Sequence, residues 1–351
     1  MKKKIGIITI ISPNLGNRLQ NYALQEYLVS QNFNVKTIPM YSQNLIKREL
    51  KFIIRLILSY IIPKYKSVSW DIFDKKINWE KYSVNDNSKL LVKKYDYFIA
   101  GSDQIWNPLF YFNSEREFLT FAYPEQRIAY AASIGISELP SECKTQYAKM
   151  LNGFSELSVR EDDAAKIIEK LTNRSAKVVI DPTMLLTKEK WREVSKNSKV
   201  KIKYKYVVKY FLGSNNPKYD EYIEKKAKEV GAKVLDILEY NKYNNNVIGP
   251  TEFVYIISNS LGVFTDSFHG TVFSLLFEKN FVVFDRPFEK KAGDMSSRLD
   301  TLLNKFSVQN QRISNNSQLY EVQPKVDYEN VKQILNKERK IAEQYLLNAI
   351  K

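Results

Sequence analysis

Short runs rich in Ile, Val, Phe and Tyr recur along this chain, separated by segments whose apolar residues fall at helical spacing. In the first half, Lys4–Ile10, Asn34–Ile38, Tyr97–Ala100, Arg127–Ala131, Leu157–Arg160 and Val178–Asp181 read as strands. Helical patterns cover Asn17–Gln31, Glu142–Leu151 and Asp162–Leu171. Asp181-Pro182-Thr183 ends the series, and polar Lys196–Lys203 reads as a linker. A second series predicts strands at Tyr206–Leu212, Lys233–Asp236, Gly262–Asp266 and Phe281–Phe284, with helices near Lys218–Val230, Pro250–Ser258 and Thr271–Glu278. Tyr328–Ile350 is a strong helical pattern with no strand after it. Alternation of this kind predicts an α/β fold of two doubly wound, Rossmann-like domains facing a cleft, with ligands at the carboxyl ends of the strands. The expected boundaries are 1–195, 196–325 and 326–351, the last a helix packing back across the domains.

Length and composition agree with two folded domains: the chain has 351 residues, of which 44% are hydrophobic. Its single cysteine, Cys143, excludes an intrachain disulfide framework and a cysteine-rich zinc site, and fits a reducing compartment. The opening MKKKIGIITI starts like a signal peptide, but its apolar run is short and meets Ser12-Pro13-Asn14 with no small-residue cleavage site, so it reads as a first strand. A spanning helix needs ~20 apolar residues; Phe52–Ile62 is shorter and contains Arg55. The expectation is a cytoplasmic protein that touches a membrane surface at most.

Charge sharpens that last point. Lys and Arg number 54 against 39 Asp and Glu, a formal charge of +15, and residues 45–94 hold 12 of the cations with only 5 acids. Tyr60, Tyr65, Trp70, Phe73, Trp79 and Tyr82 are interleaved there with the apolar run from Phe52. Two readings stand: a peripheral contact with anionic lipid, or a solvated insertion with a small buried face. Nucleic acid is disfavoured, because no binding motif accompanies the charge.

Four constellations at strand ends could carry chemistry. Gly16-Asn17-Arg18-Leu19-Gln20-Asn21 opens a helix whose amides attract anions, with Arg18 adding charge; taken alone, Asn14 and Asn17 are ordinary caps. Gly101-Ser102-Asp103-Gln104-Ile105-Trp106-Asn107-Pro108 offers the carboxylate, amide and indole that a sugar needs. Its other reading makes Trp106 core and Asp103 a turn cap. In Ser158-Val159-Arg160-Glu161-Asp162 the planar fork of Arg160 suits a phosphate or carboxylate, or else a neighbouring acid. Thr265-Asp266-Ser267-Phe268-His269-Gly270-Thr271 places the only histidine at a helix start, beside groups that could orient it. A metal is not expected, since one His and one Cys come with no acidic cluster of ligand spacing. A Ser-His-Asp hydrolase is disfavoured by the lack of a G-x-S-x-G elbow.

The run of Gly-Asn-Arg-Leu-Gln-Asn-Tyr-Ala-Leu-Gln (16–25), Gly-Ser-Asp-Gln-Ile-Trp-Asn-Pro (101–108), Ser-Val-Arg-Glu (158–161), Asp-Pro-Thr (181–183) and Asp-Ser-Phe-His-Gly (266–270) resembles the polysaccharide pyruvyl transferase family, from the first strand to about Leu303 but leaving out 45–94. The resemblance implies a GT-B-like fold with the acceptor on the N-terminal side and the donor on the C-terminal side. It also implies transfer of a pyruvyl group from phosphoenolpyruvate, the co-substrate, to two hydroxyls of one sugar, with no cofactor. The donor would meet Arg160, Arg298 of Ser297-Arg298-Leu299, Ser267, Phe268, Gly270, Thr271 and Arg18, and the acceptor Asn17, Gln20, Asn21, Ser102, Gln104, Trp106 and Asn107. His269 is expected as general acid, Asp103 at the acceptor hydroxyl, and Asp266 either in that role or orienting His269. The rivals are a nucleotide-sugar glycosyltransferase on the same architecture and a carbohydrate-binding protein that has lost its chemistry.

Overall fold

Strands β1 (Lys4–Ile8), β2 (Asn34–Thr37), β3 (Tyr97–Ala100) and β4 (Arg127–Ala129) pair in parallel in the order β2-β1-β3-β4 in a computed structural model of the chain. The structure describes residues 2–351 apart from 13, 41–49, 51–52, 55–68, 111–114, 215, 245–247, 287–296 and 314–324. Register sets Ile5 beside Val35 and Tyr97, and Ile7 beside Thr37 and Ile99. Ile5, Ile7 and Ile8 have no exposed surface. A strand covered on both faces loses the polar alternation of a half-exposed one, which is why KIGII reads as a continuous apolar run. Isolated bridges Ile128↔Glu156 and Ala132↔Val159 carry the sheet on to β5 (Ser158–Val159), which pairs with β6 (Lys177–Val178).

The second sheet is also parallel, in the order β11-β10-β9-β7-β8, from β7 (Tyr206–Tyr210), β8 (Lys233–Asp236), β9 (Gly262–Thr265), β10 (Asn280–Phe284) and β11 (Arg312–Ile313). The helices that matter for the site are α1 (Leu15–Ser30), α2 (Ser69–Asp74), α3 (Val84–Lys94), α4 (Ser141–Asn152), α5 (Asp162–Thr172) and α6 (Lys188–Ser195) in the first half. The second half adds α7 (Pro217–Glu229), α8 (Ile237–Tyr243), α9 (Pro250–Asn259), α10 (Phe268–Leu276), α11 (Ser297–Lys305) and α12 (Tyr328–Ala349). One apolar cluster joins the halves: Tyr22 of α1 and Trp191 of α6 pack together, and Trp191 meets Phe273 of α10 edge-on. Helix α12 straps both sheets, with Lys305 paired to Glu338, Arg339 donating to the Met184 and Leu186 carbonyls, and Tyr345 Oη donating to Ala129 O at 2.7 Å.

The structure departs from the sequence reading where elements are short. Strand β6 stops before Asp181, because Pro182 has no amide for a ladder and the Asp181 side chain caps a 3-10 turn over Pro182–Met184. Helices α2, α3, α6, α8 and α11 and the two-residue β11 are not in the predicted series: α2, α6 and α8 run six to eight residues, too short for periodicity to accumulate, and α3 is interrupted by non-helical backbone at Asn87. In the basic segment, Lys47, Arg48, Lys51, Arg55 and the apolar run from Phe52, apart from Ile53 and Ile54, lie outside the described residues. Its later part is built into the domain. Phe73, Ile77 and Trp79 are buried, and buried Glu80 takes Lys94 at 2.6 Å and the Tyr95 hydroxyl at 2.6 Å.

Candidate active site

The carboxyl ends of the two sheets meet, and the segments after β3, β5, β6 and β9 deliver polar residues to the junction. Strand β3 runs into Gly101-Ser102-Asp103, and Asp103 has φ +72°. That left-handed geometry is uncommon outside glycine, though Asp tolerates it, and it marks a turn held by its surroundings. Three contacts hold this one: Asn17 Nδ2 on the first turn of α1 donates to Asp103 Oδ2, the Gln104 amide donates to Oδ1 at 2.9 Å, and Arg160 Nη2 lies 3.4 Å from Oδ1. Arg160 follows β5 and is buried; its guanidinium lies 4.2 Å over the Phe268 ring of α10, and its Nη1 donates to Asp181 Oδ2 at 2.7 Å. Ser102 Oγ donates to the same Asp181 oxygen at 2.9 Å.

His269 sits in the first turn of α10, whose cap is Ser267. Its Nε2 is 3.7 Å from Asp181 Oδ2 and, although buried, has no hydrogen-bond partner among the described residues. The other side of the ring rests on Gly16: a Cβ there would fall 2.1 Å from His269 Nδ1, so only glycine lets the start of α1 approach this closely. Two helix starts, of α1 and α10, thus converge on one imidazole, and neither carries an acid in its first turn. Such a junction favours anions.

Arg298 completes the group from α11. With the Gln104 amide turned oxygen-inward, its Oε1 accepts from both terminal nitrogens of Arg298, at 2.7 Å from Nη1. Helix α11 is docked through Thr301 Oγ1, which accepts the Asp162 amide at 3.0 Å. Behind it, Glu161 Oε1 accepts from Ser133 Oγ and the Ile134 and Gly135 amides at 2.8–3.0 Å, pinning the loop after β4.

Burial and charge decide the protonation of these groups. Burial alone would raise Asp103 and Asp181, but Arg160, His269 and, for Asp103, Arg298 hold both carboxyls below the ordinary range. Arg160 would be lowered by burial, yet Asp181, Asp103 and Glu161 lift it instead. Burial raises Glu161 despite Arg160 and its amide donors. Burial also wins at His269, pushing it below 6.5 against the pull of Asp181 and Asp103, so the resting imidazole is neutral at pH 7. Desolvation and the like charge of Arg160 lower Arg298 to about 10.

Several residues expected to meet donor or acceptor make their contacts within the fold. Trp106 has no exposed surface, stacks on Phe118 with centroids 5.3 Å apart, and donates Nε1 to Glu117 O at 3.1 Å; it is core, not a sugar platform. Arg18 leaves the helix start sideways to Asp74, at 2.8 Å. Gln20 donates to Thr9 Oγ1 at 2.8 Å, Asn21 accepts from Thr37 Oγ1 at 2.9 Å, and Asn107 accepts the Leu109 amide, so all three tie strand ends and turns. Asp266 does not reach His269: its oxygens accept the Leu212 and Gly213 amides, each at 2.7 Å, and Arg286 Nε at 3.0 Å. Gly270 packs under Thr265, and Thr271 Oγ1 returns to Ser267 O. The residue beside His269 is Asp181, whose Asp-Pro signal marked a strand end without marking its neighbour.

A sequence profile of the family described as polysaccharide pyruvyl transferase matches residues 14–287. The chain belongs to this family. Membership makes the protein a transferase and implies a sugar or polysaccharide acceptor. The matched segment runs through 45–94 and stops before Arg298, whereas the sequence motifs that carry the resemblance leave out the first and include the second. No curated protein sequence matches the chain. Among solved structures, UDP-GlcNAc 2-epimerase from Methanocaldococcus jannaschii is similar with a TM-score of 0.52 at 12% identity, over 95% of this chain and 92% of that one. A glycosyltransferase from Rickettsia africae ESF-5 follows at 0.48 and 13%, over 99% and 96% of the two chains. The fold is GT-B-like: two parallel α/β sheets with their strand ends facing. Among the described residues no group of His, Cys, Asp or Glu could hold a metal ion, and no helix is long and apolar enough to cross a membrane.

Proposed function

We propose that the protein transfers the pyruvyl group of phosphoenolpyruvate to two hydroxyls of one sugar, in a surface polysaccharide or its lipid-linked precursor, forming a cyclic ketal and releasing phosphate. One observation carries this reading: Asp103, Arg160, Asp181 and His269 are buried together where the two sheets meet, with half-buried Arg298 beside them. A donor with a phosphate and a carboxylate needs fixed cations, and two arginines with two helix starts supply them without a cofactor.

The chemistry requires one proton delivered and two removed. A protonated His269 gives its proton to the methylene carbon of the donor, leaving a cation-like centre on the adjacent carbon. The first sugar hydroxyl attacks that carbon as its proton passes to Asp103. The second hydroxyl then closes the ring as the carbon–oxygen bond to phosphate breaks, and its proton leaves with the phosphate. The neutral resting state of His269 suits this order, because the negative charge of an arriving donor raises the imidazole and loads it.

The test is incubation of the purified protein with phosphoenolpyruvate and an oligosaccharide acceptor, following phosphate and the acceptor's mass. Expected are stoichiometric phosphate and an acceptor heavier by one pyruvic acid less one water. Turnover only with a nucleotide sugar would replace this reading with glycosyl transfer; binding without turnover would leave a carbohydrate-binding protein. If the acceptor is lipid-linked, the excess cations of 45–94 hold the protein at anionic headgroups. Changing Lys47, Arg48, Lys51 and Arg55 to Glu should then abolish co-sedimentation with anionic liposomes while sparing a short soluble acceptor, and unchanged sedimentation would remove the membrane role.

A further inference from the structure

The carboxylate of Asp181 has no exposed surface and divides its two oxygens between different tasks. Oδ1 is fixed by the Thr183 amide at 2.9 Å and the Thr183 hydroxyl at 2.7 Å. Oδ2 accepts Ser102 Oγ at 2.9 Å and Arg160 Nη1 at 2.7 Å, and the same oxygen lies 3.7 Å from His269 Nε2, which has no hydrogen-bond partner among the described residues. With Gly16 closing the other side of the ring, the imidazole cannot retreat. One oxygen therefore faces two cation-forming groups, and it is bonded to only one of them.

We propose that Asp181 is the positioning residue of this site, its Oδ2 exchanging Arg160 for His269 when an anion engages the arginine. This rests on the reading that the site takes phosphoenolpyruvate. As the donor draws the Arg160 guanidinium, Oδ2 becomes free to accept from His269 Nε2, and the imidazolium forms where the donor will need its proton. Asp181 stays ionised throughout; the proton that reaches the methylene carbon comes from His269. Among the described residues the charged groups facing the imidazole are Asp181, Asp103, Arg160 and Arg298, so the exchange changes the balance of a small set. Asp103 stays anchored by Asn17 and the Gln104 amide whichever way Arg160 turns, so it cannot make the same exchange.

Because the chain has one histidine, its imidazole proton resonance titrates without assignment ambiguity. In the parent, adding phosphoenolpyruvate should move the His269 midpoint to higher pH. Asp181→Asn should lower the midpoint by about one pH unit or more, the usual effect of losing an adjacent opposite charge, and should blunt the donor response. Ser102→Ala removes a competing donor from Oδ2 and should move the midpoint up. A purely structural role would lower the melting temperature of these variants and leave the midpoint in place, and that result overturns the proposal. If Asp181→Asn does not fold, Ser102→Ala decides alone: no upward movement refutes the exchange. If the variants shift the midpoint as expected while phosphoenolpyruvate leaves the parent unmoved, Asp181 keeps its positioning role and the donor reading is the part that fails.

Discussion

The turns that end β3 and β9 look interchangeable in the sequence, each setting an Asp next to a Ser, and the fold uses them oppositely. Asp103 bends into a left-handed conformation and turns its carboxylate toward Arg160, inside a buried group of charges. Asp266 keeps its carboxylate for the Leu212 and Gly213 amides and for Arg286, which ties the loop after β7 to the strand end. The same residue type at the same topological place therefore joins a buried group of charges in one sheet and ties a loop in the other. What separates them is the partner offered across the junction: Arg160 is buried and stacked on Phe268, whereas Arg286 remains partly exposed.

The contrast breaks first at the two residues assigned to proton transfer. His269→Gln keeps a polar side chain without a transferable proton, and phosphate release should fall by ~10²- to 10⁴-fold with donor affinity little changed by calorimetry. Asp103→Asn should lose a similar amount. A folded His269→Gln protein that turns over near the parental rate would exclude the histidine from the reaction. Next come the arginines. Arg298→Ala and Arg160→Lys each remove a fork that a fixed anion needs, so the apparent constant for phosphoenolpyruvate should rise about ten- to a hundredfold, for ~1.5–3 kcal/mol of charge-assisted bonding. Parental affinity in both variants would place the donor elsewhere.

Asp266→Asn sharpens the comparison from the other side. It weakens bonds to two amides and an arginine, so it should cost about 1–3 kcal/mol of stability, read as a lower melting temperature, while turnover of the folded fraction stays within a few-fold. A turnover loss as large as that of Asp103→Asn would erase the distinction between the turns. The smallest effect is in pH. His269 is depressed in the folded protein, so the unfolded chain binds its proton more readily. Stability is then complete above about 6.5 and declines as pH falls below that toward the folded value. Denaturant titrations should show this slope in the parent and its absence in His269→Gln. Loss of the depressed Asp103 and Asp181 carboxylates follows only at lower pH, below the ordinary carboxylate value of 3.8.

Much of the site was legible as strand-end motifs: Ser102, Asp103, Arg160 and His269 meet at the junction, and Arg298 joins them from α11. Legibility failed where a residue's chemistry did not say which way it would point. Trp106 has the same indole whether it floors a sugar site or fills a core, and stacking on Phe118 within a buried aromatic group decided it. Arg18 stood at a helix start, but the helix phase turned it to Asp74.

Local pattern by itself determined the parallel α/β alternation and the polar residues at strand ends, because strand burial and turn chemistry are written within a few neighbouring positions. Only the tertiary structure decided the pairing of Asp181 with His269 and Arg160, the seat of the imidazole on Gly16, and the different fates of Asp103 and Asp266. Those relations join residues 21 to 253 positions apart in the chain. They depend on the direction of side chains across two sheets, which no local periodicity encodes.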